Sequence, residues 1–414
     1  MSDFARKLVR WQRVHGRHGL PWQHTRDPYL IWLSEIMLQQ TQVATVIAYY
    51  ERFVARFPTV HALASAPQDE VLRLWSGLGY YARARNLHRA ARMVMDDFAG
   101  RFPESPELLA TLPGVGRSTA AAIAVFAFGC RAAILDGNVK RVLARAFGID
   151  GFPGERLVER RLWALADSLL PAESAATYIQ GLMDLGATVC LRNKARCAEC
   201  PVRSQCIAYR DGRVAELPGR RARSPVPKRS IVWLVLRRGA RVLLEQRPGL
   251  GVWGGLWSFP ELNSLDARET NRALGELGCT LVGQRALEPV AHAFSHFTLH
   301  AQPLLCEVRK AARAEAPGRL WLPPEEGMEQ AVPAPVRALL RSLCQAVPSR
   351  STARQGERVV SSRPALPEAV ASPRAAKVAS RSAARSPRRR NQSAFPAPDA
   401  PSPTVRQPRR VRTA

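Results

Sequence analysis

The segment "LPGVGRSTA" at residues 112–120 decides the fold of the first half of the chain. Two glycines separated by one residue follow a proline, and an Ala-rich apolar run comes next. This pattern predicts a tight hairpin that links the helical segment "ESPELLA" to a second helix. The first N–H groups of such a helix bind phosphate, so we expect Val115 and Gly116 to face a phosphate oxygen, with Arg117 adding charge.

The composition favours a protein that binds a polyanion. The 414 residues carry a formal charge of +27. Residues 346–414 hold 15 Lys and Arg against 3 Asp and Glu, which leaves +15 for the rest of the chain. Charge of one sign on this scale favours nucleic acid as the partner. The first residues lack a secretory h-region and the longest apolar run is too short for a bilayer, so we expect a cytoplasmic protein without a membrane segment.

Hydrophobic periodicity divides the chain into four parts. Helical periods fill the first part, where Asp27 is a predicted N-cap and Pro28 the first helical residue. "IVWLVLRRGARVLLEQR" predicts a β-hairpin that opens a mixed α/β domain. Pro, Ser, Arg and Ala dominate the last part, which predicts disorder. The predicted boundaries are 1–212 for the helical domain, 213–229 for a linker, 230–345 for the α/β domain and 346–414 for a basic tail.

Four cysteines have the spacing of a metal centre. Cys190, Cys197, Cys200 and Cys206 follow a C-x6-C-x2-C-x5-C pattern. In a reducing compartment such a group favours metal ligation over disulfides. A 4Fe–4S cluster with one thiolate per iron fits the spacing, and zinc stays open as the alternative. The isolated cysteines at positions 130, 279, 306 and 344 are expected to be packing residues.

A glutamate on the first strongly apolar helix is a candidate general acid. The neighbours of Glu35 one helical turn away are mostly apolar: Ile31, Trp32, Leu38 and Gln39. A carboxyl group on this face would be desolvated, its pKa would rise, and it would hold a proton at neutral pH. The alternative is a glutamate at the exposed edge of a core stripe. The "QQTQ" that follows offers uncharged hydrogen-bonding side chains to a base.

A second carboxylate lies in "ILDGNVKR". Asp136 follows an apolar segment and precedes Gly137 and Asn138, so the turn is expected to present an exposed carboxylate at the mouth of a cleft. An aspartate before glycine is also an ordinary turn residue. Two carboxyl groups in unequal environments are the pattern that cleavage of a glycosidic bond needs.

Several long motifs resemble those of MutY-type adenine DNA glycosylases, in the helix–hairpin–helix superfamily of endonuclease III. They are "LSEIMLQQTQVATVI", "GLGYYARARNL", "LPGVGRSTA", "ILDGNVKRVLARAFG" and the cysteine pattern. The resemblance covers about residues 5–345. It implies a mostly α-helical glycosylase core with an iron–sulfur loop, followed by an α+β Nudix-like domain. It also implies that a monomeric bacterial enzyme at the nucleoid removes adenine opposite 8-oxoguanine or guanine in duplex DNA.

The resemblance assigns roles to individual residues. Glu35 would protonate the adenine ring, Asp136 would stabilise the sugar cation, and Asn138 would orient Asp136. The DNA contacts that it implies are made by Leu38, Gln39, Gln40, Thr41, Tyr80, Gly114, Gly116, Arg117 and Ser118. Lyase relatives carry a lysine where this chain has Ser118, which implies a monofunctional glycosylase that leaves an abasic site.

The second domain resembles a Nudix fold without its hydrolytic motif. Gly255 and Glu261 keep the first motif spacing, but no adjacent acidic pair follows near Glu276, so pyrophosphate hydrolysis is not expected. "HAFSHFTLH" at 292–300 resembles the lesion-sensing loop of the family, whose contacts would be Phe294, Ser295 and His296. We expect this segment to be one extended strand, in which the histidines at 292, 296 and 300 lie roughly 13 Å apart, too far to chelate.

Two other functions remain open from the sequence. One is an endonuclease III-like glycosylase and lyase for oxidised pyrimidines, against which Ser118 and the second domain argue. The other is a non-enzymatic DNA-binding module that contains a metal cluster. Glu35 and Asp136 argue against it, because binding alone needs neither carboxylate. No motif identifies a protein partner.

Overall fold

The computed structural model describes residues 1–221, 225–249, 251–294, 296–310 and 316–345. The predicted disordered tail and Ser295 lie outside these described residues. Helices dominate up to Arg210, and no strand precedes Lys228 in the described part of the chain. Among the described residues, no helix combines the length and apolar character needed to cross a membrane.

The first region is a succession of helices, as predicted. They are α1 (Asp3–His15), α2 (Pro28–Leu38), α3 (Val43–Arg56), α4 (Val60–Ser65), α5 (Gln68–Trp75), α6 (Ala82–Asp97), α7 (Pro106–Leu109), α8 (Arg117–Phe128), α9 (Gly137–Ala146), α10 (Arg156–Leu169), α11 (Ala175–Thr188) and α12 (Ile207–Arg210). The Asp27 side chain accepts a hydrogen bond from the Tyr29 N–H, and Pro28 opens α2. This cap is the one that the sequence predicts.

Two hydrophobic cores divide the helices into two lobes. The first core contains Trp32, Phe53 and Trp75 from α2, α3 and α5. The second contains Leu8 and Leu185, from α1 and α11, with residues of α9 and α10. Helix α8 belongs to both cores: Ala120, Ile123 and Ala124 pack in the first, and Ala121, Ala122 and Val125 in the second. The hairpin at 112–116 therefore opens a helix that lies between the lobes.

The second region is a mixed sheet with helices. Its elements are β1 (Lys228–Arg238), β2 (Arg241–Gln246), β3 (Trp257–Ser258), β4 (Glu261–Leu262), α13 (Ala267–Glu276), β5 (Cys279–Ala286), β6 (Val290–Ala293), β7 (Thr298–Lys310), β8 (Arg319–Leu322), α14 (Pro324–Glu329) and α15 (Ala334–Gln345). The main strand order is β3-β2-β1-β7-β5, with β4 beside β1, β6 beside β7 and β8 beside β2. β1 and β2 form the predicted antiparallel hairpin, whereas β1 and β7 are parallel.

Strand β1 is buried on both faces. Ile231, Trp233 and Val235 face a core that is continuous with the first helical lobe. Val232 and Leu234 face a smaller core that includes Leu274 of α13, which lies on the other side of the sheet. A strand covered on both faces has an uninterrupted apolar sequence, which explains "IVWLVL".

The segment 292–300 is a hairpin and not one strand, so the expectation of a single extended strand was wrong. β6 pairs antiparallel with β7, and His292 lies opposite Leu299. The Phe294 N–H donates to the Phe297 carbonyl (2.8 Å), and the two rings stack with centroids 4.4 Å apart. Stacking of these rings stabilises the turn, and the histidine spacing argued from an extended strand therefore does not apply.

Candidate active site

A cavity of about 930 Å³ lies beside helix α8 and is lined by residues of both lobes. The predicted residues that line it are Glu35, Leu38, Gln39, Thr41, Ser118, Asp136 and Asn138. α2 supplies Glu35 from the first lobe, and the start of α9 supplies Asp136 from the second. Residues more than a hundred positions apart in the chain thus meet in one pocket.

Glu35 is held in the interior of this cavity by α2. Ile31, Ile36 and Met37 on the same helix are buried. Burial raises the pKa of the Glu35 carboxyl to about 7, and the negative charge of Asp136 contributes to the same shift. A carboxylic acid with this pKa is about half protonated at neutral pH, which gives the cavity a proton donor.

Asp136 forms the N-cap of α9. Its Oδ1 accepts a hydrogen bond from the Val139 N–H (2.7 Å). Burial raises the pKa of Asp136, and the backbone N–H groups of Val139 and Asn138 oppose that shift. The expectation of an exposed carboxylate was wrong, because the cap bond holds the half-buried side chain against the helix. The positive end of the α9 dipole favours the ionised form at this position.

Arg141 fixes the side chain of Asn138. Its Nη2 donates to Asn138 Oδ1 (2.9 Å) and to the Gly186 carbonyl (2.6 Å). Its Nε donates to the Cys190 carbonyl (2.8 Å). A Cβ on Gly186 would lie 2.6 Å from Asn138 Cβ, so only glycine allows α11 to approach this closely. The sequence analysis missed Arg141, whose signal was its position one turn after Asn138.

The predicted hairpin forms, but its N–H groups are used differently. Gly114 has φ +82°, and a Cβ there would lie 2.9 Å from Asn86 Cβ, so the position requires glycine. The Val115 N–H donates to the Leu112 carbonyl (3.0 Å) inside the hairpin. The expectation that it faces a phosphate was therefore wrong. Gly116 is exposed and is the N-cap residue of α8.

Arg117 makes contacts within the protein. Its guanidinium lies 3.7 Å from the centroid of the Trp163 ring. Its Nη2 lies 3.2 Å from Asp167 Oδ2, and both side chains are exposed. An exposed ion pair of this kind is weak, so the arginine remains available to a phosphate that displaces Asp167.

The Ser118 hydroxyl makes a structural hydrogen bond and does not have the surroundings of a nucleophile. Its Oγ accepts a hydrogen bond from the Leu135 N–H (3.0 Å), which fixes the residue just before Asp136. Lys140 Nζ, the nearest lysine in the "ILDGNVKR" motif, forms an ion pair with Glu159 Oε1 (2.6 Å). An ammonium held by a carboxylate is a poor nucleophile, because it is protonated.

The predicted DNA-contact residues Gln39, Gln40, Thr41 and Tyr80 lie on two neighbouring turns. Gln39 ends α2, and its Nε2 donates to the Gly114 carbonyl (3.2 Å) and Thr119 Oγ1 (3.4 Å). Gln40 has φ +58° and is exposed. Tyr80 has φ +49° and is 50% exposed, whereas Tyr81 is buried. A large exposed aromatic in the left-handed region is unusual.

Arg83 joins these two turns, and the sequence analysis missed it. Its Nη1 donates to the Gln39 carbonyl (2.6 Å), and its Nη2 donates to Thr41 Oγ1 (3.0 Å) and the Gly79 carbonyl (3.2 Å). Its guanidinium also lies 5.5 Å from the Tyr80 ring centroid. Burial lowers the pKa of Arg83 to about 10, so it stays cationic at neutral pH. A buried cation held by neutral acceptors leaves positive potential beside both turns.

The four predicted metal ligands line one small cavity of about 20 Å³. Val142, Leu185 and Val202 complete its apolar wall, and Arg145 Nη1 lies 3.4 Å from Cys190 Sγ. Within the described residues, no three His, Cys, Asp or Glu side chains are arranged to hold a single metal ion. Four sulfur donors around one space are the donor set of a metal centre.

The remnant of the Nudix motif is occupied by internal bonds. Glu261 forms a two-point ion pair with Arg247, in which Nη2 lies 3.2 Å from Oε2. Arg247 Nε also donates to the Val252 carbonyl (2.9 Å). Glu269 accepts hydrogen bonds from Ser264 Oγ (2.6 Å) and the Asn263 N–H (3.0 Å). These carboxylates stabilise loops of the domain.

The predicted lesion-sensing residues belong to an aromatic cluster. The Phe294 ring lies 5.3 Å from the Trp253 ring and 4.7 Å from the His292 ring, centroid to centroid. The His296 ring lies 4.9 Å from the Phe297 ring. Ser295 lies outside the described residues. Phe294 is half-buried by these neighbours, so the cluster fixes the turn that carries His296.

Comparisons with known proteins identify the family. Residues 33–168 match the HhH-GPD superfamily of base excision DNA repair proteins, and residues 231–342 match the NUDIX domain. The adenine DNA glycosylase of Buchnera aphidicola subsp. Baizongia pistaciae is 37% identical over 74% of this chain and 87% of its own length. The chain belongs to the adenine DNA glycosylase family.

Similarity to this family extends beyond bacteria. The human adenine DNA glycosylase is 35% identical over 82% of this chain and 74% of its own length. A solved thermostable thymine-DNA glycosylase is 33% identical, covers 50% of this chain and 95% of its own, and superposes with a TM-score of 0.47.

As a member of the adenine DNA glycosylase family, the chain is a DNA repair enzyme that acts on an N-glycosidic bond. This membership supports the first hypothesis from the sequence over the bifunctional lyase and the non-enzymatic module. The combination of helix–hairpin–helix core and Nudix-like domain that the resemblance implied is confirmed.

Proposed function

We propose that this adenine DNA glycosylase, acting as a monomer, removes adenine paired with 8-oxoguanine or guanine in duplex DNA. The observation that carries the proposal is one cavity that holds Glu35, with a pKa of about 7, beside Asp136. The charge of +27 supports duplex DNA as the partner. The base must leave the stack to enter this cavity.

Glu35 acts first, as the general acid. Its protonated carboxyl donates to a ring nitrogen of the extruded adenine, so the base leaves as a neutral molecule with the electron pair of the glycosidic bond. Expulsion of an unprotonated adenine anion is far slower, and this is the barrier that the acid lowers. The raised pKa keeps the proton available at neutral pH.

Asp136 acts on the sugar. As the glycosidic bond breaks, positive charge develops at C1′ and on the ring oxygen, and the carboxylate stabilises it. Asn138, held by Arg141, keeps this end of the cavity fixed. Water then adds at C1′ and loses a proton, which completes hydrolysis and leaves an abasic sugar. Ser118 and the paired Lys140 provide no free amine, so the strand stays intact.

Two amide side chains in the same cavity suit the edge of adenine. Gln180 Nε2 donates to Asp184 Oδ1 (2.9 Å). This bond leaves the Gln180 carbonyl oxygen, which lies in the same cavity, to accept from an exocyclic amine. Gln23 Oε1 accepts from the Leu20 N–H (3.1 Å), which leaves its Nε2 as the free donor for a ring nitrogen. On its Watson–Crick edge adenine presents this pair, with the N6 amine as donor and N1 as acceptor, whereas guanine presents the reverse, with O6 as acceptor and N1–H as donor.

The cysteine site fits a 4Fe–4S cluster held by Cys190, Cys197, Cys200 and Cys206. When bound, such a cluster crosslinks the loop of residues 190–206 and stabilises its fold. Arg145 donates to Cys190 Sγ and to the Leu191 carbonyl (2.7 Å), so it holds the first ligand in place. We assign recognition of the base opposite adenine to Phe294, Ser295 and His296, and the aromatic contacts of Phe294 support this assignment.

The test uses end-labelled duplexes with one adenine opposite 8-oxoguanine, guanine or thymine, analysed with and without hot alkali. Strand breaks that appear only after alkali, for the first two duplexes and not the third, would support the proposal. Breaks without alkali would overturn the monofunctional mechanism. Tight binding without breaks in either lane would overturn the assigned catalysis.

A further inference from the structure

The 76–81 segment, which we name the Tyr80 turn, is bonded to the Nudix-like domain. Ser76 Oγ donates to the Val332 carbonyl (2.9 Å) and accepts from Arg337 Nη2 (2.9 Å). The Tyr81 hydroxyl lies 3.5 Å from both Ser76 Oγ and the Val332 carbonyl. The residues 330–337 precede and begin α15, so the end of the second domain contacts a turn of the first.

These contacts are buried and specific. Ser76, Tyr81 and Val332 are all buried. The Tyr81 hydroxyl also accepts from the Gly77 N–H (3.3 Å), which closes the network inside the turn. Because water is excluded, loss of Arg337 or Ser76 would remove a buried hydrogen bond from this network, which is costly in a medium of low dielectric constant.

The Tyr80 turn needs such support. Gly77, Gly79 and Tyr80 all have positive φ, at +100°, +77° and +49°. For a tyrosine this backbone conformation is unfavourable and persists only where the surroundings impose it. The exposed Tyr80 ring is therefore presented by a strained turn that external contacts maintain.

The turn is held from two sides. Arg83 fixes it to the 39–41 segment of the helical lobe, through the Gly79 and Gln39 carbonyls. Ser76 and Tyr81 fix it to residues 330–337 of the Nudix-like domain. A second interdomain contact lies apart from the turn, where Trp257 Nε1 donates to Asp69 Oδ1 (3.2 Å). The interface thus contains contacts at the Tyr80 turn and contacts outside it, among them the bond from Arg85 Nη1 to the Gly254 carbonyl (2.7 Å).

We propose that Arg337 and Ser76 are positioning residues for base extrusion, through which the Nudix-like domain holds Tyr80 in its DNA-facing conformation. The proposal rests on the proposed function and on the DNA contact that the family resemblance implies for Tyr80. It gives the second domain a role on the adenine side of the pair, in addition to its role on the opposite base.

The test compares full-length Arg337→Met and Ser76→Ala with Asp69→Ala as a matched interface control. Extrusion is followed by the fluorescence of 2-aminopurine placed opposite 8-oxoguanine, and cleavage by single-turnover rates on adenine. We expect about tenfold less extrusion and a similar loss of rate for both turn variants, as for a buried hydrogen bond. Arg337→Lys should restore part of the loss, and the pH midpoint of cleavage should not move.

Three outcomes would overturn the proposal. Extrusion at the wild-type level in Arg337→Met and Ser76→Ala would show that the contact does not position Tyr80. An equal loss in Asp69→Ala would mean that docking of the domain alone matters. A shifted pH midpoint would place the effect on Glu35. Wild-type activity in the same assay separates these failures from a failure of the proposed function, and thermal unfolding identifies a variant that does not fold.

Discussion

Glu35 and Glu261 show what two different surroundings make of the same side chain. Glu35 lies in the cavity of the helical domain, and Glu261 lies in the remnant of the Nudix motif. Both carboxyl groups are largely covered by protein. The charge that acts on Glu35 is the negative one of Asp136. Glu261 forms a two-point ion pair with Arg247, whose guanidinium also ties down the Val252 carbonyl.

The difference lies in what compensates for burial. A buried carboxyl without a cation stays neutral by keeping its proton, which it can then donate. A buried carboxylate with an arginine keeps its charge and has its lone pairs occupied, so it can neither donate a proton nor readily bind a metal. Glu35 can act as an acid in the helical domain because no cation pairs with it. Glu261 in the Nudix-like domain has a structural function because it is paired with Arg247.

The largest effect that tests this comparison is expected for Glu35→Gln. The amide keeps the shape but has no acidic proton, so the single-turnover rate of adenine release should fall by about 10²–10⁴-fold. Glu261→Gln serves as the matched control and should change the rate only a few-fold. A Glu35→Gln rate within tenfold of wild type would remove the acid role.

Asp136→Asn should come next in size. Asparagine is a good N-cap, so α9 should stay intact, while the negative charge beside the sugar is lost. We expect a rate loss of about 10²–10³-fold with an unchanged melting temperature. If the melting temperature fell in proportion to the rate, Asp136 would be primarily a helix cap. A different carboxylate would then have to stabilise the sugar cation.

The pH dependence should report the raised pKa of Glu35. Cleavage needs its protonated form, so above a pH of about 7 the rate should fall tenfold per pH unit. Single-turnover rates between pH 5 and 9 measure this directly. A profile that is flat from pH 6 to 9 would contradict the assignment.

The same ionisation should cost stability. A carboxyl whose pKa is raised in the folded state lowers the free energy of unfolding as the pH rises from the pKa of the unfolded state towards the pKa of the folded state. Between pH 4.5 and 8 the cost approaches roughly 3 kcal/mol, so Glu35→Gln should unfold at higher denaturant than wild type at pH 8 and at the same denaturant near pH 4.5. Equal stabilities at pH 8 would argue against a desolvated acid.

The smallest effect is expected at the paired glutamate. Glu261→Gln leaves Arg247 without its carboxylate, and since both side chains keep some exposure we expect a loss of about 1–2 kcal/mol of unfolding free energy. Wild type and variant should both fail to hydrolyse nucleoside triphosphates with Mg²⁺. Magnesium-dependent hydrolysis by the wild type would show that the motif is not a structural remnant.

Local signals in the sequence predicted much of the molecule. Asp27 and Pro28 start α2, the glycines of "LPGVG" form the hairpin, and the cysteine spacing places four thiols around one cavity. Each of these features depends on neighbours within a few turns of chain.

The features that could not be predicted from the sequence depend on contacts with residues far away along the chain. Arg83, Arg141 and Arg337 contact segments 44 to 261 residues away, or bond to backbone carbonyls that carry no sequence signature. The half-burial of Asp136 follows from its place in a cavity lined by both lobes, and Phe294 is held by stacking on Phe297 and by a tilted contact with Trp253. Local composition contains no information about these pairs.

Helix α8 couples the unfolding of the two lobes. Its turns from Ala120 to Val125 are buried against both cores, so neither lobe can unfold without exposing a face of this helix. Cooperative opening of the whole helical domain is then the main route by which solvent reaches its amides. Amide hydrogens of α8 should exchange with deuterium more slowly than those of the edge strand β5, and binding of DNA at the cavity should slow exchange in both lobes together.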